Sequence, residues 1–437
     1  MKSMKIGIQT WGTNGDVRPL IALAGGLSSA GHQVKLVVTS VDGKTYDHFG
    51  KSLNFEVEQT GNIFSPDAYA SVAEQLGKEN NPLKQLALLF TELFDPAERE
   101  MYSASRRLCE ESDIVIGQFL IHPLRAAAEI SGRPFMSVTL NHSAIPTQYM
   151  APGGIPNRKP AEGLGPDRLT NSSLWNLFMA VIDKQFLPRI NRLRLQEGLA
   201  PAGSVREVWE SDLLNLIAVS PVFCSQDPEW GSNQQVCGFF NLPETAEQYQ
   251  MPGPLMDFLR AGPPPVYMTF GSLLPQQAGS PLALESTRLL VGAARLAGCR
   301  AIIQSCWNSL DGIEDDRAIY RLTNVPHHII FPHCCAVVHH GGAGTTQSAT
   351  RAGCPSVVVA HMTDQSFWGN ELRRLGIAPG LLNRHSVTAD KLAAAISSVL
   401  ASPGMKTKAS ELGERIRRED GVGRAVEEIE KKTVSLL

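Results

Sequence analysis

The sequence has no run of 18 apolar residues, no Cys-x-x-Cys pair and no block of like charge. The first absence predicts that no helix spans a membrane. Eight scattered cysteines argue against a disulfide framework or a zinc site, and they favour reduced thiols in a cytoplasmic protein. The start, MKSMKIGIQTWG, runs into a strand pattern without a signal-peptide layout, which agrees with a cytoplasmic location. A formal net charge of −3 argues against a nucleic-acid partner.

What the chain does contain is an alternation of short apolar runs and helix-length periodic stretches over its 437 residues. This alternation predicts an α/β protein with parallel sheets covered by helices on both faces, and the length favours two domains. The predicted strands are Lys5–Thr10, Val34–Val38, Ile114–Gly117, Phe135–Leu140, Leu216–Ser220, Val266–Phe270, Arg300–Gln304, Ala336–Val338 and Ser356–Ala360.

A break in this pattern separates the two predicted domains. The stretch FFNLPETAEQYQMPGPL, residues 239–255, has neither a helical nor a strand period and contains three prolines. We therefore predict an N-terminal domain at 1–240, a linker at 241–255 and a C-terminal domain at 256–415. Residues 416–437 are predicted to form a closing amphipathic helix.

Polar residues follow four of the predicted strands in the second half. In a parallel sheet these connections share one carboxyl edge, where ligands bind. The sequence therefore predicts a binding site assembled from Gly271-Ser272, Ser305–Trp307, His339–Gly342 and His361–Gln365.

The third connection, VVHHGGAGTTQSATRAG (residues 337–353), is rich in glycine and places two threonines at the start of a predicted helix. Glycines expose backbone N–H groups, and the helix start adds further unpaired N–H groups and a partial positive charge. These features predict a site for a phosphate or diphosphate. The alternative is a tight strand–helix turn with Thr345 as the N-cap. The residues expected to contact the anion are His340, Gly342, Gly344, Thr345 and Thr346, and Gly341 helps the backbone to turn.

Two further pairs of residues and one tryptophan are candidates for contact with a substrate. Asp364 and Gln365 offer a carboxylate and an amide to a polyhydroxyl group, although both residue types also cap helices. Trp307 is a candidate for stacking on a base, or else a core residue. Asn141 and His142 follow the strand Phe135–Leu140 and are candidates for contact with a second substrate.

Two stretches resemble the nucleotide-sugar glycosyltransferases, and in particular the branch of sterol glucosyltransferases and bacterial glycosyltransferases of antibiotics and lipids. Residues 324–380 contain the phrases VPH, HHGGAGTT and DQ-x-FWGN that are typical of the donor-binding signature. Near the amino end, IGIQTWGTNGDVRPLIALAGGLSSAGHQV is similar to the opening of the same family. Residues 60–110 and 145–215 match poorly, and in this family they are the acceptor-binding regions.

The resemblance implies the GT-B arrangement, two Rossmann-like doubly wound domains facing a cleft, with the C-terminal helix crossing back to the N-terminal domain. The acceptor would bind to the N-terminal domain and the nucleotide sugar to the C-terminal domain. His340, Gly342, Gly344, Thr345, Thr346 and Ser272 would hold the diphosphate, Asp364 and Gln365 the sugar, and the main chain near Val325 the base. Plant members have a glutamate for the ribose where this chain has Ser348, so UDP and dTDP both remain candidates.

The resemblance further implies an inverting, metal-independent hexosyltransferase without a cofactor, for which UDP-glucose is the favoured co-substrate. No Asp-x-Asp motif for a metal ion is present. Asp16 in GTNGDV is the predicted general base. Its alternative role is to N-cap a helix that begins at Val17, with Pro19 in the first turn.

The expected second substrate is a lipophilic alcohol or phenol such as a sterol or polyketide. Apolar helical stretches at 83–94 and 174–187 lie in the acceptor-binding regions, although such faces also form ordinary cores. At most a peripheral membrane contact is expected, and the sequence does not indicate an oligomeric state. Two alternatives are a nucleotide-sugar epimerase of the same fold and a non-catalytic sugar-nucleotide-binding protein.

Overall fold

The structure, a computed structural model, describes residues 3–61, 64, 66–152, 168–242, 249–271, 281–304, 316–322 and 325–434. The chain divides into two compact units. The first comprises Met1–Ser65, Leu86–Ala246 and Glu419–Leu437, and the second comprises Pro66–Gln85 and Glu247–Arg418. The segment Pro66–Gln85 thus groups with the second unit, although it lies within the N-terminal domain predicted from the sequence.

Each unit is built on one parallel sheet. In the first unit seven strands lie in the order β3-β2-β1-β4-β5-β6-β7, and in the second unit six strands lie in the order β10-β9-β8-β11-β12-β13. The strands are β1 Lys5–Gly12, β2 Gln33–Ser40, β3 Glu56–Gln59, β4 Ile114–Gln118, β5 Phe135–Thr139, β6 Asn215–Ile217, β7 Gln234–Val236, β8 Val266–Thr269, β9 Ala301–Gln304, β10 Ile319–Leu322, β11 Ala336–His339, β12 Ser356–Ala360 and β13 Leu381–Asn383.

Helices connect these strands along the chain. They are α1 Asn14–Ser29, α2 Asp47–Leu53, α3 Pro66–Lys78, α4 Pro82–Leu89, α5 Glu98–Glu111, α6 His122–Ser131, α7 Arg168–Gln196, α8 Arg206–Trp209, α9 Gly253–Arg260, α10 Pro281–Leu296, α11 His327–Ile330, α12 Ala343–Arg351, α13 Thr363–Arg374, α14 Ala389–Leu400, α15 Pro403–Arg417 and α16 Gly421–Val434. A π-helical turn, Phe90–Phe94, follows α4.

The predicted α/β class with two parallel sheets is confirmed, because every strand pairing in both sheets is parallel. Central strands such as β1, β4 and β12 are buried along nearly their whole length. The strand predicted at Leu216–Ser220 begins one residue earlier and ends at Ile217. Four strands were not predicted, and they are β3, β7, β10 and β13, the outer strands of the two sheets.

The last helix packs on the first helix within the first unit. Ala425 and Ile429 of α16 are fully buried in the same apolar core as Leu23 and Leu27 of α1. Gly26 makes the close approach possible, because a Cβ there would lie 2.3 Å from a methyl carbon of Val422.

No helix in the described ranges is both long enough and apolar enough to cross a membrane. The seven cysteines in these ranges are free thiols: Cys109, Cys224, Cys237, Cys299, Cys334, Cys335 and Cys354.

Candidate active site

In the second unit, the connections after the neighbouring strands β8, β11 and β12 converge at one edge of the sheet. Gly271 follows β8, His339 ends β11 with His340 directly after it, and His361 follows β12. The rings of Phe270 and His361 meet edge to face, with centroids 4.8 Å apart. Three of the four predicted connections therefore have described residues that meet at this edge.

The glycine-rich turn, residues 340–346, requires glycine at positions where a side chain would not fit. Gly341 has a φ of +93°, and a Cβ there would lie 2.7 Å from the carbonyl oxygen of Gln365. The ring of His340 lies between two other glycines. A Cβ on Gly271 would come within 2.6 Å of its Cε1, and a Cβ on Gly342 within 2.4 Å of its Nε2. Glycine is therefore required on both sides of the imidazole.

Replacing Gly341 by alanine should damage both the turn and the start of α13. The positive φ costs an L-residue about 1–2 kcal/mol, and the clash with a backbone oxygen adds to this cost. We expect a lower melting temperature and weaker nucleotide binding, measured by calorimetry. Gly376 also has a positive φ, but no described atom lies within 4 Å of a Cβ placed there, so Gly376→Ala is the matched control. It should lose only the stability that corresponds to the strained backbone conformation. Equal losses in the two variants would contradict the close packing at Gly341.

Helix α12 begins at the end of this turn. Its N-cap is Gly342, so the interpretation of Thr345 as the N-cap was wrong, and Thr345 instead lies in the first helical turn. Within the described ranges, a Cβ on Gly344 would have no atom within 4 Å, which leaves space in front of the helix start. The unpaired N–H groups of the first turn thus face an accessible region.

Two buried polar atoms of the turn have no hydrogen-bond partner in the described parts of the chain: Nδ1 of His340 and Oγ1 of Thr346. Leaving such a group unpaired costs about 1–3 kcal/mol. Together with the helix start, these donors fit an anionic ligand.

The histidines around the turn are neutral. Burial lowers the pKa of His340 to about 4. Burial also lowers the pKa of His361 to about 3, and the nearby His340 and Arg384 contribute to this shift. Nδ1 of His361 lies 2.9 Å from the carbonyl oxygen of Val359, and Nδ1 of His339 accepts the N–H of Gly341 at 3.1 Å. At neutral pH each ring therefore offers one N–H and no charge.

The lowered pKa of His340 predicts how stability depends on pH. An unfolded histidine titrates near 6.5, so between pH 6.5 and 4 the unfolded chain binds more protons than the folded chain. The contribution is complete above pH 6.5 and is lost as the pH falls through this window, by up to about 3 kcal/mol. In urea titrations, wild type should lose this much stability relative to His340→Gln. Parallel pH curves for the two proteins would contradict the burial of a neutral His340.

Asp364 and Gln365 lie in the first turn of α13, and their side chains differ in burial and hydrogen bonding. Oε1 of Gln365 accepts the N–H groups of His361 at 2.8 Å and Met362 at 3.1 Å, so this amide caps the helix. Asp364 is exposed to solvent. Its carboxylate is therefore accessible to a ligand.

Among the other residues predicted to bind the nucleotide sugar, Val325 is buried. It precedes Pro326, the N-cap of α11. Ser272 and Trp307 lie outside the described residues. A buried network fixes the end of β8: the hydroxyls of Tyr267 and Thr269 donate to Oε1 of Gln304, and Thr269 accepts the N–H of Gly271.

In the first unit, Asp16 lies in the first turn of α1, and the predicted N-cap role is wrong. The helix begins at Asn14 and is capped by Thr13, with which Asp16 forms a reciprocal capping box. Oδ2 of Asp16 accepts the N–H of Thr13 at 2.9 Å. Gly12, with a φ of +125°, makes room for the carboxylate, because a Cβ there would lie 2.4 Å from Oδ2.

Two other features lie at carboxyl ends of strands in the first unit. Asn141 caps a short turn after β5, His142–Ala144, by accepting the N–H of Ser143, and His142 is buried. Near the carboxyl end of β1, the ring of Trp11 contacts Phe94 with centroids 4.8 Å apart. Phe90 contacts Phe186 of α7, with centroids 4.7 Å apart. The indole N–H of Trp11 is buried without a partner in the described ranges. The predicted apolar helices thus share an aromatic cluster.

Arg384 and Gln85 were not singled out from the sequence. Arg384 directly follows β13, is 8% exposed, and donates its backbone N–H to Ala360. Gln85 is bonded to the carbonyl oxygen of His361. No local motif marks either residue, because each reaches the site through a contact distant in sequence.

Residues 313–430 match the model of the erythromycin biosynthesis protein CIII-like C-terminal domain. A sterol 3-beta-glucosyltransferase of Arabidopsis thaliana, UGT80A2, is 36% identical over 208 residues, which are 47% of this chain and 32% of that protein. An uncharacterised protein of Mycobacterium bovis is 30% identical over 95% of this chain and 93% of its own length. Among solved structures, the glycosyltransferase of kitacinnamycin has a TM-score of 0.68 at 18% identity, with 99% of each chain covered.

The extent of these matches differs between relatives. The chain spans about a third of the length of the sterol glucosyltransferases, 32% and 34% for those of Arabidopsis thaliana and Komagataella phaffii, but nearly all of the mycobacterial protein. The similarity to the solved structure shows the fold. With the HHGGAGTT turn and the two parallel-sheet units, these matches show that the chain belongs to the GT-B glycosyltransferases, in the branch of sterol glucosyltransferases and bacterial antibiotic glycosyltransferases.

Proposed function

We propose that this protein transfers a hexose from a nucleotide diphosphate sugar, UDP-glucose in the first place, to a hydroxyl of a lipophilic acceptor. The observation that carries this proposal is the glycine-rich turn at the start of α12. There Nδ1 of His340 and Oγ1 of Thr346 lie beside the helix start without a partner among the described residues, and no described atom lies within 4 Å of a Cβ placed on Gly344. A diphosphate supplies the oxygen acceptors that these donors lack.

The same donors would assist the chemical step. When the bond between the anomeric carbon and the diphosphate oxygen breaks, negative charge grows on the leaving UDP or dTDP. N–H groups already fixed by the turn stabilise that charge without reorganisation. The His340 ring is neutral and is held between Gly271 and Gly342. It would therefore donate an N–H hydrogen bond from a fixed position and would not contribute a positive charge. Gly342, Gly344 and Thr345 contribute through the backbone of the same turn.

The sugar and the base have separate contacts in this proposal. The exposed carboxylate of Asp364 accepts sugar hydroxyls, and Gln365 contributes its amide while its oxygen caps α13. The main chain at Val325 contacts the uracil or thymine edge. Ser272 as a further diphosphate contact and Trp307 as a stacking partner of the base stay predictions from the sequence.

Asp16 is the proposed general base. Its carboxylate takes the proton of the acceptor hydroxyl as the oxygen attacks the anomeric carbon, and the nucleotide diphosphate leaves from the opposite face, which inverts the anomeric configuration. The bond from Thr13 and the space left by Gly12 hold the carboxylate in one orientation. Because proton transfer occurs late in such a displacement, a carboxylate is a sufficient base.

The acceptor is proposed to be a sterol, polyketide or phenol. The aromatic cluster of Trp11, Phe90, Phe94 and Phe186 supports a lipophilic partner. The indole N–H of Trp11, which has no partner within the described part of the chain, supports one that carries an oxygen. The names of the relatives agree with this class, since they include a sterol glucosyltransferase and the glycosyltransferase of kitacinnamycin. Asn141 and His142 are proposed acceptor contacts.

Calorimetry with UDP-glucose and dTDP-glucose, each in the presence of EDTA, tests the donor half of this proposal. We propose that no metal ion or cofactor is needed, so binding should be unchanged by the chelator. Binding of neither nucleotide sugar would contradict the proposed function, and binding that disappears with EDTA would contradict metal independence.

A further inference from the structure

The segment Pro66–Gln85 comes from the first half of the sequence but belongs to the second unit. It contains α3 and the start of α4. It packs closely on α10, because a Cβ on Gly77 would lie 3.0 Å from a methyl carbon of Leu282. A stretch that precedes β4 of the first sheet therefore forms part of the unit that carries the glycine-rich turn.

Gln85 is a polar residue that connects this segment to the turn after β12. Its side chain is only 4% exposed. Its Nε2 lies 2.7 Å from the carbonyl oxygen of Glu79, 3.1 Å from that of His361 and 3.4 Å from that of Leu76. Two of these oxygens belong to the segment itself, and the third belongs to the turn that follows β12.

The turn after β12 is thereby held from both sides by amide side chains. Gln85 binds the carbonyl oxygen of His361, while Oε1 of Gln365 binds the N–H groups of His361 and Met362. Asp364, two residues further on, projects its exposed carboxylate from the beginning of α13. A shift of the His361 peptide would therefore move the carboxylate that is proposed to bind the sugar.

We propose that Gln85 is a positioning residue of the donor-sugar site, which fixes the turn from His361 to Asp364 through its hydrogen bond to the His361 carbonyl. This inference rests on the proposed function, in which Asp364 and Gln365 bind the sugar. The hydrogen bonds of the Gln85 side chain among the described residues go to Leu76, Glu79 and His361, outside the glycine-rich turn that would hold the diphosphate. The effect of Gln85 should accordingly fall on the sugar half of the donor and leave the nucleotide half unaffected.

The test compares Gln85→Glu with wild type in calorimetric titrations with UDP and with UDP-glucose. The variant keeps the shape of the side chain, but an ionised carboxylate cannot donate to the three carbonyl oxygens. We expect UDP-glucose to bind about tenfold more weakly, the equivalent of one lost hydrogen bond, and UDP to bind as it does to wild type. Gln85→Met, which removes the donor without adding charge, should give the same split. Gln75→Glu makes the same chemical change at an exposed position of α3 and should alter neither affinity.

Amide hydrogen exchange gives a second readout that does not depend on ligand binding. The N–H groups of His361 and Met362 should exchange faster in Gln85→Glu than in wild type, while those of α12 should not change.

Three outcomes separate the hypotheses. A wild-type protein that binds neither UDP nor UDP-glucose would overturn the proposed function together with the sugar-positioning role. Normal binding of UDP-glucose by both Gln85 variants would overturn the role of Gln85 alone. Equal weakening of UDP and UDP-glucose would also overturn it, because that result would reflect general damage to the unit.

Discussion

Asp16→Asn should lower the turnover number about 100-fold or more, the usual effect of removing a general base, while the affinity for the nucleotide sugar stays near that of wild type. The amide has nearly the same shape as the carboxylate and still accepts the N–H of Thr13, so the capping of α1 should persist. It cannot accept the proton of the acceptor hydroxyl. Steady-state kinetics with both substrates, together with donor titrations, measure the two effects separately.

The control for this variant is Asp47→Asn. Asp47 is an exposed aspartate in the first turn of α2, so the substitution makes the same chemical change at a helix start of the same unit. It should leave turnover unchanged. If Asp16→Asn keeps near-normal turnover, Asp16 is not the base, and its capping role alone explains its position.

His340→Ala should weaken UDP binding by about 10- to 100-fold, because a hydrogen bond to a charged group contributes about 1.5–3 kcal/mol. The ring is clamped between Gly271 and Gly342, so its removal also leaves a gap at the centre of the turn. Turnover at saturating donor should fall as well, since the lost N–H also stabilises the leaving diphosphate.

His385→Ala is the matched control, because His385 is an exposed histidine of the same unit. It should leave UDP affinity unchanged in calorimetric titrations. UDP affinity in His340→Ala equal to that of wild type would remove His340 from the diphosphate site.

The sequence predicts the central strands well and the outer strands poorly, for a physical reason. Central strands of a parallel sheet are covered on both faces and show as apolar runs, as in Ser356–Ala360. The outer strands are less covered, and none of the residues of β3 or β13 is fully buried. Glu56–Gln59 reads EVEQ and Gln234–Val236 reads QQV, patterns that resemble loops when taken alone. Their strand conformation depends on pairing with a neighbour, which a local pattern does not show.

Helix starts were predicted within a few residues but not to the correct cap. At α1 the cap is Thr13 rather than Asp16, and at α12 it is Gly342 rather than Thr345. In both places a residue type that caps helices well, Asp16 or Thr345, lies inside the first turn. Hydrophobic periodicity begins only after this polar first turn. A prediction based on periodicity therefore places the helix start several residues too far along the chain.

In the candidate site, too, some residues could be predicted from the sequence and others could not. The glycine-rich turn was predicted because its residues are adjacent in sequence and their chemistry is local. Gln85 was not predicted, because it is separated from His361 by 276 positions and nothing near it in the sequence resembles a motif. The grouping of residues 66–85 with the second unit is a tertiary contact that periodicity does not report.

A mass-spectrometric assay of hexose transfer tests the central claim most directly. Wild type and Asp16→Asn are each incubated with UDP-glucose or dTDP-glucose, EDTA, and a panel of sterols, flavonoids and macrolide aglycones. The predicted result is a gain of one hexose on at least one lipophilic acceptor with wild type, and a greatly reduced yield with the variant. Absence of transfer from either donor to every member of the panel, by a wild-type protein that binds the nucleotide, would contradict it.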